Sequence, residues 1–286
     1  MRALIATALG TITSGLHSFS TVNCAATKSP FSQSEFRQFT LIDSYNESHN
    51  TKVFRFALPE ADMPLNLDVS SVLTVRYTDE NGKDVLRPYT PINNSDQRGY
   101  FEILVKRYEN SKMGSHFFSL KKGDVVDFKG PWVKIPIRSN QYKHIGMLAG
   151  GTGIAPMYQV ARNILRDPKN TTKISLIYAN KRKEDVLLGN ELNDLMQKHP
   201  LFYPYFVLSR APSDWMGGVG HITSEMIKSI MPPPNHKDSI ILVCGPPHFM
   251  ESISGDKDFS TRPPAQGQLK GILKDIGYGQ NMVFKF

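Results

Sequence analysis

The feature that most constrains the fold is a change of hydrophobic pattern at a polar link over 138–143. Before it, five short segments rich in Val, Phe, Tyr and Thr predict strands over 36–44, 52–58, 72–77, 100–107 and 125–129. Asn81-Gly82 fits a tight turn between two of them, because both residues tolerate positive φ. Short strands with turn signals, and little helix beyond a turn near 115–120, predict a small antiparallel barrel.

Beyond the link, strands and helices alternate. Strands are predicted over 144–149, 174–179, 203–208 and 240–244, and helical spacing appears over 157–165, 191–198 and 224–231. This alternation predicts a parallel sheet with helices on both faces. The sequence therefore predicts an antiparallel β-barrel domain over 36–137, followed by an α/β parallel-sheet domain over 144–286.

The first 35 residues are a separate compositional segment. Residues 1–34 contain no Asp or Glu, and the stretch 3–27 has no formal charge but many Ser and Thr. A basic, acid-poor, Ser/Thr-rich leader predicts mitochondrial targeting. A secretory signal beginning at Arg2 and a weak membrane anchor over 3–26 are the alternatives, although Thr7, Thr11 and Thr13 interrupt the anchor.

The composition excludes several classes. The chain has 286 residues, with 34 Lys+Arg and 26 Asp+Glu, a net charge of +8. Its 40% hydrophobic content is too high for a disordered chain. Cys24 and Cys244 cannot supply a disulfide framework, a four-thiolate zinc site or an iron–sulfur cluster, so we expect no metal.

A glycine-rich segment, GGTGIAP over 150–156, stands between a predicted strand and a predicted helix. Gly151 and Gly153 allow a sharp turn and a close approach by a ligand, and the helix N-terminus offers N–H groups to a phosphate. Pro156 suits the first helical turn. The acidic residue that usually holds a dinucleotide ribose is missing, because the next strand ends in ANKR over 179–182. The segment predicts a phosphate-binding turn, with a plain βα turn as the alternative.

Two further motifs are CGPP over 244–247 and RPYTP over 87–91. The first follows the last predicted parallel strand, so Cys244 faces the same crevice as Thr152 and its small thiol can pack against a nicotinamide ring. A buried structural cysteine is the alternative, and no neighbouring base would make it a nucleophile. In the second, Arg87 can grip a pyrophosphate with its planar guanidinium, unless the segment is a solvated strand end.

Together, and in their order along the chain (RPYTP, then GGTGIAP, then CGPP), the three motifs resemble those of the ferredoxin reductase-like flavoenzymes. Within these, the chain is similar to the NADH–cytochrome b5 reductases, most closely the mitochondrial, fungal type. The similarity spans 36–286. It also includes LVKRY over 104–108, KM over 112–113, YAN over 178–180, DVLL over 185–188, GQL over 267–269 and VFKF over 283–286.

The resemblance implies FAD as cofactor and NADH as co-substrate, with NADPH left open. It implies catalytic roles for Thr90, at flavin N5, and for Cys244, at the nicotinamide. The residues implied to hold FAD are Arg87, Pro88, Tyr89, Thr90, Leu104, Lys106, Tyr108, Lys112, Met113, Gly114, Ser115 and Thr152. The residues implied to hold NAD(P)H are Gly150, Gly151, Thr152, Gly153, Pro156, Ser209, Arg210, Cys244, Gly245, Pro246 and Met250.

Four positions depart from the family pattern. Gly114 stands where relatives have a serine that meets phosphate, and Ala155 stands where many have threonine. Ser71 is nearest to a histidine that animal-type relatives use in a proposed proton relay. Ser209, followed by Arg210, occupies the place of an aspartate that repels the extra phosphate of NADPH, which favours tolerance of NADPH here.

The basic charge points to the partner. Between 106 and 143 there are nine Lys/Arg and three acidic residues. Such a stretch would steer an acidic electron carrier, and the resemblance implies cytochrome b5 or a similar haem protein. The alternatives are a same-fold reductase for a quinone or ferric acceptor and a flavin-binding interaction module without turnover. We expect a monomer that does not bind nucleic acid, in the mitochondrial outer membrane or intermembrane space, with the endoplasmic reticulum membrane as the alternative.

Overall fold

The first domain is built from six strands and one short helix. The computed structural model describes residues 29–286, so the targeting and anchor predictions for residues 1–28 lie outside the described residues. Phe31, which the sequence analysis assigned to the leader, is buried in the barrel core. The elements of this domain are β1 (Arg37–Ser48), β2 (Thr51–Ala57), β3 (Ser71–Thr78), β4 (Asp84–Tyr89), β5 (Tyr100–Lys106), α1 (Lys112–Ser119) and β6 (Val125–Val133).

These six strands form the predicted antiparallel barrel. They pair in the order β4-β3-β6-β1-β2-β5. Just after β4, Pro91 bridges to Ile103 of β5, which brings the two outer strands together. The predicted turn at Asn81-Gly82 is present, but it belongs to a five-residue loop over 79–83, with Gly82 at φ 72°.

Aromatic side chains fill the barrel. Its buried phenylalanines are Phe31, Phe39, Phe54, Phe56, Phe101, Phe117 and Phe128. Their rings pack mostly edge to face, which suits the ring quadrupoles. Phe117 lies on α1. The turn predicted near 115–120 is a full helix here, because Ser111 caps its N-terminus and the helix buries an apolar face on the barrel.

The second domain is a parallel sheet covered by helices, as predicted. Its strands are β7 (His144–Gly150), β8 (Lys173–Asn180), β9 (Phe202–Leu208), β10 (Gly218–Val219), β11 (Ser239–Cys244) and β12 (Val283–Lys285). Its helices are α2 (Ile154–Leu165), α3 (Gly189–Lys198), α4 (Ser224–Ile230), α5 (Pro247–Ile253) and α6 (Gly271–Asp275). The four strands predicted here are each correct to within one residue, whereas β10, β12, α5 and α6 were not predicted.

The strand order places a crevice at one edge of this sheet. The order is β10-β9-β8-β7-β11-β12, and all neighbours are parallel. From β7 the chain moves outward through β8, β9 and β10, and then returns to β11 on the other side of β7. Ligands of open α/β sheets bind at such a switch point, beyond the carboxyl ends of the strands. The GGTGIAP and CGPP segments follow the two strands that flank it.

The two domains share buried contacts. Gln159 of α2 is buried, and its Nε2 donates to the carbonyls of Ser71 (3.2 Å) and Pro91 (2.9 Å) of the barrel. At the surface, Arg166 and Asp96 add an exposed two-pronged ion pair at 2.6 and 2.7 Å. These contacts fix the spacing between the barrel and the crevice. Within residues 29–286 no helix is long and apolar enough to cross a bilayer.

Candidate functional site

The glycine-rich loop lies directly on the end of the neighbouring strand. After β7 the chain makes a 3₁₀ turn over Gly151–Gly153 and enters α2 at Ile154. Gly151 has φ 52°, in the left-handed region that favours glycine. A Cβ at Gly153 would overlap the carbonyl group of Cys244. The fold therefore places the GGTGIAP and CGPP segments in contact, although about ninety residues of chain separate them.

An aromatic ring that the sequence did not single out packs on this loop. Phe249 of α5 lies over Gly150, where a Cβ would come within 2.9 Å of its ring, and over Gly245, where a Cβ would overlap it. Only glycine leaves room for this ring at both positions. Helix α5 begins at Pro247, and proline in a first helical turn was the available signal for the helix.

Cys244 is a packing residue rather than a nucleophile. It ends β11 and is a free cysteine among the residues that the structure describes. Burial raises the pKa of its thiol to about 12, with only a small opposing effect of Lys257. The thiol is therefore neutral at neutral pH, in keeping with the absence of an activating base.

The RPYT segment lies at the end of β4 and just beyond it. Arg87 is exposed, and the only hydrogen bond of its guanidinium within the described residues goes to the carbonyl of Leu86 (2.8 Å). Tyr89 packs edge-on against Phe117, with ring centroids 5.3 Å apart, and burial raises the pKa of its phenol. Pro88 is exposed and Thr90 partly exposed. Arg87 and Thr90 are therefore available to a ligand, whereas Tyr89 is fixed by the barrel.

The N-terminus of α1 offers backbone groups and the exposed Ser115 side chain to a ligand. The Lys112 ammonium is paired with Asp79 at 2.8 Å, and Met113 is 2% exposed in the barrel core. The Gly114 N–H is already bonded to the Ser111 hydroxyl (3.1 Å). The N–H groups of Lys112 and Met113 have no acceptor within the described residues, and the first turn holds no acid. This end therefore fits a phosphate through its backbone.

The two domains meet beside the glycine-rich loop. The Tyr108 hydroxyl lies 3.5 Å from the Thr152 hydroxyl. Lys106, at the end of β5, lies 3.6 Å from Asp185 of the second domain, and both side chains are largely buried. Leu104 is buried in the core that the two domains share. The implied flavin-flanking residues 104, 106 and 108 thus stand against the implied nicotinamide-binding loop.

A cleft of about 1350 Å³ extends from this meeting point along the carboxyl edge of the sheet. Of the residues implied for NAD(P)H, those that line it are Gly150, Gly151, Ser209, Arg210 and Pro246. Asn180 also lines it, and its Nδ2 is buried without a hydrogen-bond partner within the described residues. A cleft of this size with polar groups at strand ends fits a dinucleotide.

Two of the residues implied for NAD(P)H are core residues instead. Met250 is 7% exposed and packs with Ile253, because i and i+3 on α5 share one buried face. Pro156 is buried in α2. Thr152, Gly153, Cys244 and Gly245 lie next to the cleft without lining it. Among the described residues, no group of His, Cys, Asp or Glu could hold a metal ion.

Tyr178 holds two of the cleft loops together, a role that the sequence motif did not reveal. This side chain is fully buried in β8. Its hydroxyl donates to the carbonyl of Gly151 (3.0 Å) and accepts from the N–H of Leu187 (3.2 Å). It therefore ties the glycine-rich loop to the segment that carries Asp185.

Tyr178→Phe should lower the free energy of unfolding by about 1–3 kcal/mol, because it leaves the buried N–H of Leu187 without a partner and removes one of the donors to the Gly151 carbonyl. Urea unfolding of the full chain measures the loss. Tyr205→Phe is the matched control, because within the described residues the Tyr205 hydroxyl makes no hydrogen bond. Equal stability of the two variants would contradict the role of Tyr178.

Comparison with known proteins agrees with this arrangement. Residues 38–136 match the family of oxidoreductase FAD-binding domains, and residues 147–255 match the family of oxidoreductase NAD-binding domains. The fold and the site therefore define a two-domain flavin-dependent oxidoreductase of the ferredoxin reductase-like class.

Individual relatives narrow this class. The chain is 44% identical to the NADH-cytochrome b5 reductase 2 of Emericella nidulans, over 84% of this chain and 74% of that protein. It is 44% identical to that of Pyricularia oryzae, over 84% and 72%. The cytochrome b5 reductase domain of Ulva prolifera nitrate reductase superposes with a TM-score of 0.77 at 26% identity, covering 91% of this chain and 100% of that one. The chain belongs to the NADH-cytochrome b5 reductase family.

Proposed function

We propose that this chain takes electrons from NADH through FAD and passes them one at a time to cytochrome b5. The observation that carries the proposal is the contact of Tyr108 with Thr152, where the barrel site and the nucleotide cleft meet. The names of the 44% identical relatives support the choice of acceptor. FAD, when bound, supplies the conversion of a two-electron hydride into single electrons.

Positioning is the main contribution of the protein. The Lys106–Asp185 contact and the two hydrogen bonds of Gln159 hold the barrel and the sheet at a fixed separation. Fixed separation favours transfer, because reacting groups held in a productive geometry avoid most of the entropic cost of encounter. Gln159 and Arg166 join the second domain to the barrel, so they affect electron transfer by positioning the two domains and are positioning residues.

Residues on both sides of the cleft would hold the two nucleotides. Arg87 and the α1 N-terminus would bind the FAD phosphates, and the Thr90 hydroxyl would donate to a ring nitrogen. On the other side, the turn at Gly151 would bind the NADH phosphates. Cys244 would exclude water from the nicotinamide as a neutral thiol, because burial keeps its pKa near 12.

The basic stretch over 106–143 is less available than its sequence indicates. Three of its nine cations are paired with acids outside the stretch: Lys106 with Asp185, Lys112 with Asp79, and Lys143 with Asp238. The remaining cations include the adjacent exposed pair Lys121 and Lys122. An acidic haem protein would be steered by this smaller excess.

We expect the second-order rate of cytochrome b5 reduction to fall about tenfold between about 0.02 M and about 0.2 M salt, because screening weakens steering. Stopped-flow haem absorbance measures the rate. A neutral quinone acceptor is the control, and its rate should change less than about twofold. A rate with cytochrome b5 that does not depend on salt would contradict the steering.

The full-length chain provides the test of the function itself. Purified protein should be yellow, NADH should bleach it, and oxidised cytochrome b5 should restore the colour. A colourless protein that takes up no FAD would overturn the proposal. Reoxidation by a quinone but not by cytochrome b5 would assign a different acceptor.

The leader carries the proposed location. Its acid-poor, Ser/Thr-rich composition supports the mitochondrial outer membrane or intermembrane space, with residues 1–27 as a means of membrane association. The endoplasmic reticulum membrane is the alternative. Fractionation of the tagged full-length chain tests both locations, and gel filtration tests the proposed monomer.

A further inference from the structure

Three neighbouring strands end in basic residues at one end of the cleft. Strand β8 is followed by Lys181 and Arg182, β9 by Ser209 and Arg210, and β10 by Gly220 and then His221. All of these residues line the cleft. The parallel register pairs the last residue of β9 with the last residues of β8 and β10. The basic groups therefore arise side by side along one edge of the sheet.

Backbone hydrogen bonds keep these strand ends together beyond the strands. The Ser209 N–H donates to the carbonyl of Asn180 (3.0 Å), and the Arg210 N–H donates to that of Lys181 (2.8 Å). The Ser209 hydroxyl lies 3.5 Å from the Lys181 carbonyl. The positions of Lys181, Ser209 and Arg210 are thus fixed by the sheet, and their side chains are exposed toward the cleft.

Two of the three strand-end cations at this edge are not neutralised by a described residue. Within the described residues, Lys181 and Arg210 have no ion pair, and Arg182 lies 3.6 Å from Glu184. Two other acids line the cleft: Asp185 lies 3.6 Å from Lys106 and accepts from the N–H of Arg182 (3.1 Å), and the half-buried Glu47 accepts from the N–H of Leu188 (2.6 Å). Glu184 is therefore the one exposed carboxylate that opposes an anion at this edge.

We propose that Lys181, Ser209 and Arg210 form a subsite for a phosphate on the 2′ oxygen of the adenosine ribose. The chain then uses NADPH as well as NADH, an inference that rests on the proposed function. In nucleotide-binding sheets an acid at a strand end holds the free 2′-hydroxyl of NADH, whereas arginine accommodates the 2′-phosphate of NADPH. Here the strand ends present a hydroxyl, an ammonium and a guanidinium, which suit a phosphate.

Binding of two small nucleotides tests this subsite without any electron transfer. Adenosine 2′,5′-bisphosphate and 5′-AMP differ only in the 2′-phosphate, and calorimetry on the full chain gives both dissociation constants. We expect the bisphosphate to bind about tenfold or more tightly. Arg210→Ala should remove most of this preference for the bisphosphate. Ser209→Asp should reverse the preference, because a carboxylate repels the phosphate.

Lys169→Ala is the matched control, because Lys169 is an exposed cation in the α2–β8 connection, at the opposite edge of the sheet. It should leave the ratio of the two dissociation constants unchanged. Equal binding of the two nucleotides by the unmodified chain would overturn the proposal. An equal loss in Lys169→Ala and Arg210→Ala would also overturn it, because net charge alone would then account for the preference.

Kinetics gives a second measurement. We expect kcat/KM for NADPH to lie within about a hundredfold of that for NADH, and Ser209→Asp to widen the gap. A preference for NADH of several thousandfold would contradict the proposal. The two proposals can fail separately. Cytochrome b5 reduction by NADH tests the proposed function, and the ratio of nucleotide affinities tests the phosphate subsite.

Discussion

Gly153→Ala should reduce the rate of flavin reduction by NADH about a hundredfold or more. The glycine has φ −60°, which alanine adopts without strain, so the effect arises from space alone. The added Cβ would overlap the carbonyl of Cys244 and lie 2.8 Å from the N atom of Gly245. Both are backbone atoms of the adjacent strand end and cannot rotate away. The glycine-rich loop must therefore move out of its position beside the cleft, which disturbs the placement of the bound NADH.

Stopped-flow loss of flavin absorbance measures this rate, and the FAD content of the purified variant shows whether the barrel is intact. Gly189→Ala is the control, because its Cβ would meet only a Val186 methyl at 3.6 Å, an ordinary contact. It should reduce the rate less than about threefold. A Gly153→Ala variant that binds FAD and reacts at the unmodified rate would show that the loop position does not govern transfer.

Arg87→Ala should weaken FAD binding about tenfold to a hundredfold, so that the variant loses flavin on gel filtration. Arg87 is exposed at the end of β4, and its guanidinium bonds only to the adjacent carbonyl within the described residues. It is therefore free to grip a pyrophosphate. The ratio of flavin to protein absorbance measures the loss, and titration with FAD gives the dissociation constant.

Lys112→Ala is the informative comparison, because the resemblance implies a phosphate contact for both residues. The Lys112 ammonium is paired with Asp79, and its backbone N–H survives the substitution. We therefore expect it to weaken FAD binding less than about threefold. Arg87→Lys keeps the charge but loses the planar guanidinium, so its affinity for FAD should lie between the affinities of the two alanine variants. A larger effect at Lys112 than at Arg87 would assign the phosphate contact to the lysine side chain.

Local pattern predicted much of the fold because most strands have a strong signal. Buried parallel strands appear as short apolar runs, so β7, β8, β9 and β11 were located closely. The two-residue β10 and three-residue β12 carry too little pattern. Such strands form because an existing sheet edge offers them hydrogen bonds, and this cannot be recognised in isolated segments.

The site was only partly predictable for a related reason. The motifs could be recognised from their glycine, proline and charged residues. Nothing in the sequence indicated that Met250 and Met113 are buried. Tyr178 likewise looked like an ordinary strand residue. Its role depends on a carbonyl 27 residues away, which only the folded chain brings to its hydroxyl.

The sequence alone determined the order of the two domains and the positions of the three motifs, because these depend on local periodicity and on residues that few local structures tolerate. The cofactor class followed from the resemblance of those motifs to the ferredoxin reductase-like flavoenzymes. The tertiary structure decided which charges are free. Lys106, Lys112 and Lys143 are paired with distant acids, whereas Lys181 and Arg210 have no ion pair within residues 29–286. It also gave buried Lys285 the carbonyls of Asp256 (3.0 Å) and Gln268 (2.9 Å) as partners. An ion pair or a buried hydrogen bond depends on distance in space, and that distance is set only when the two sheets pack.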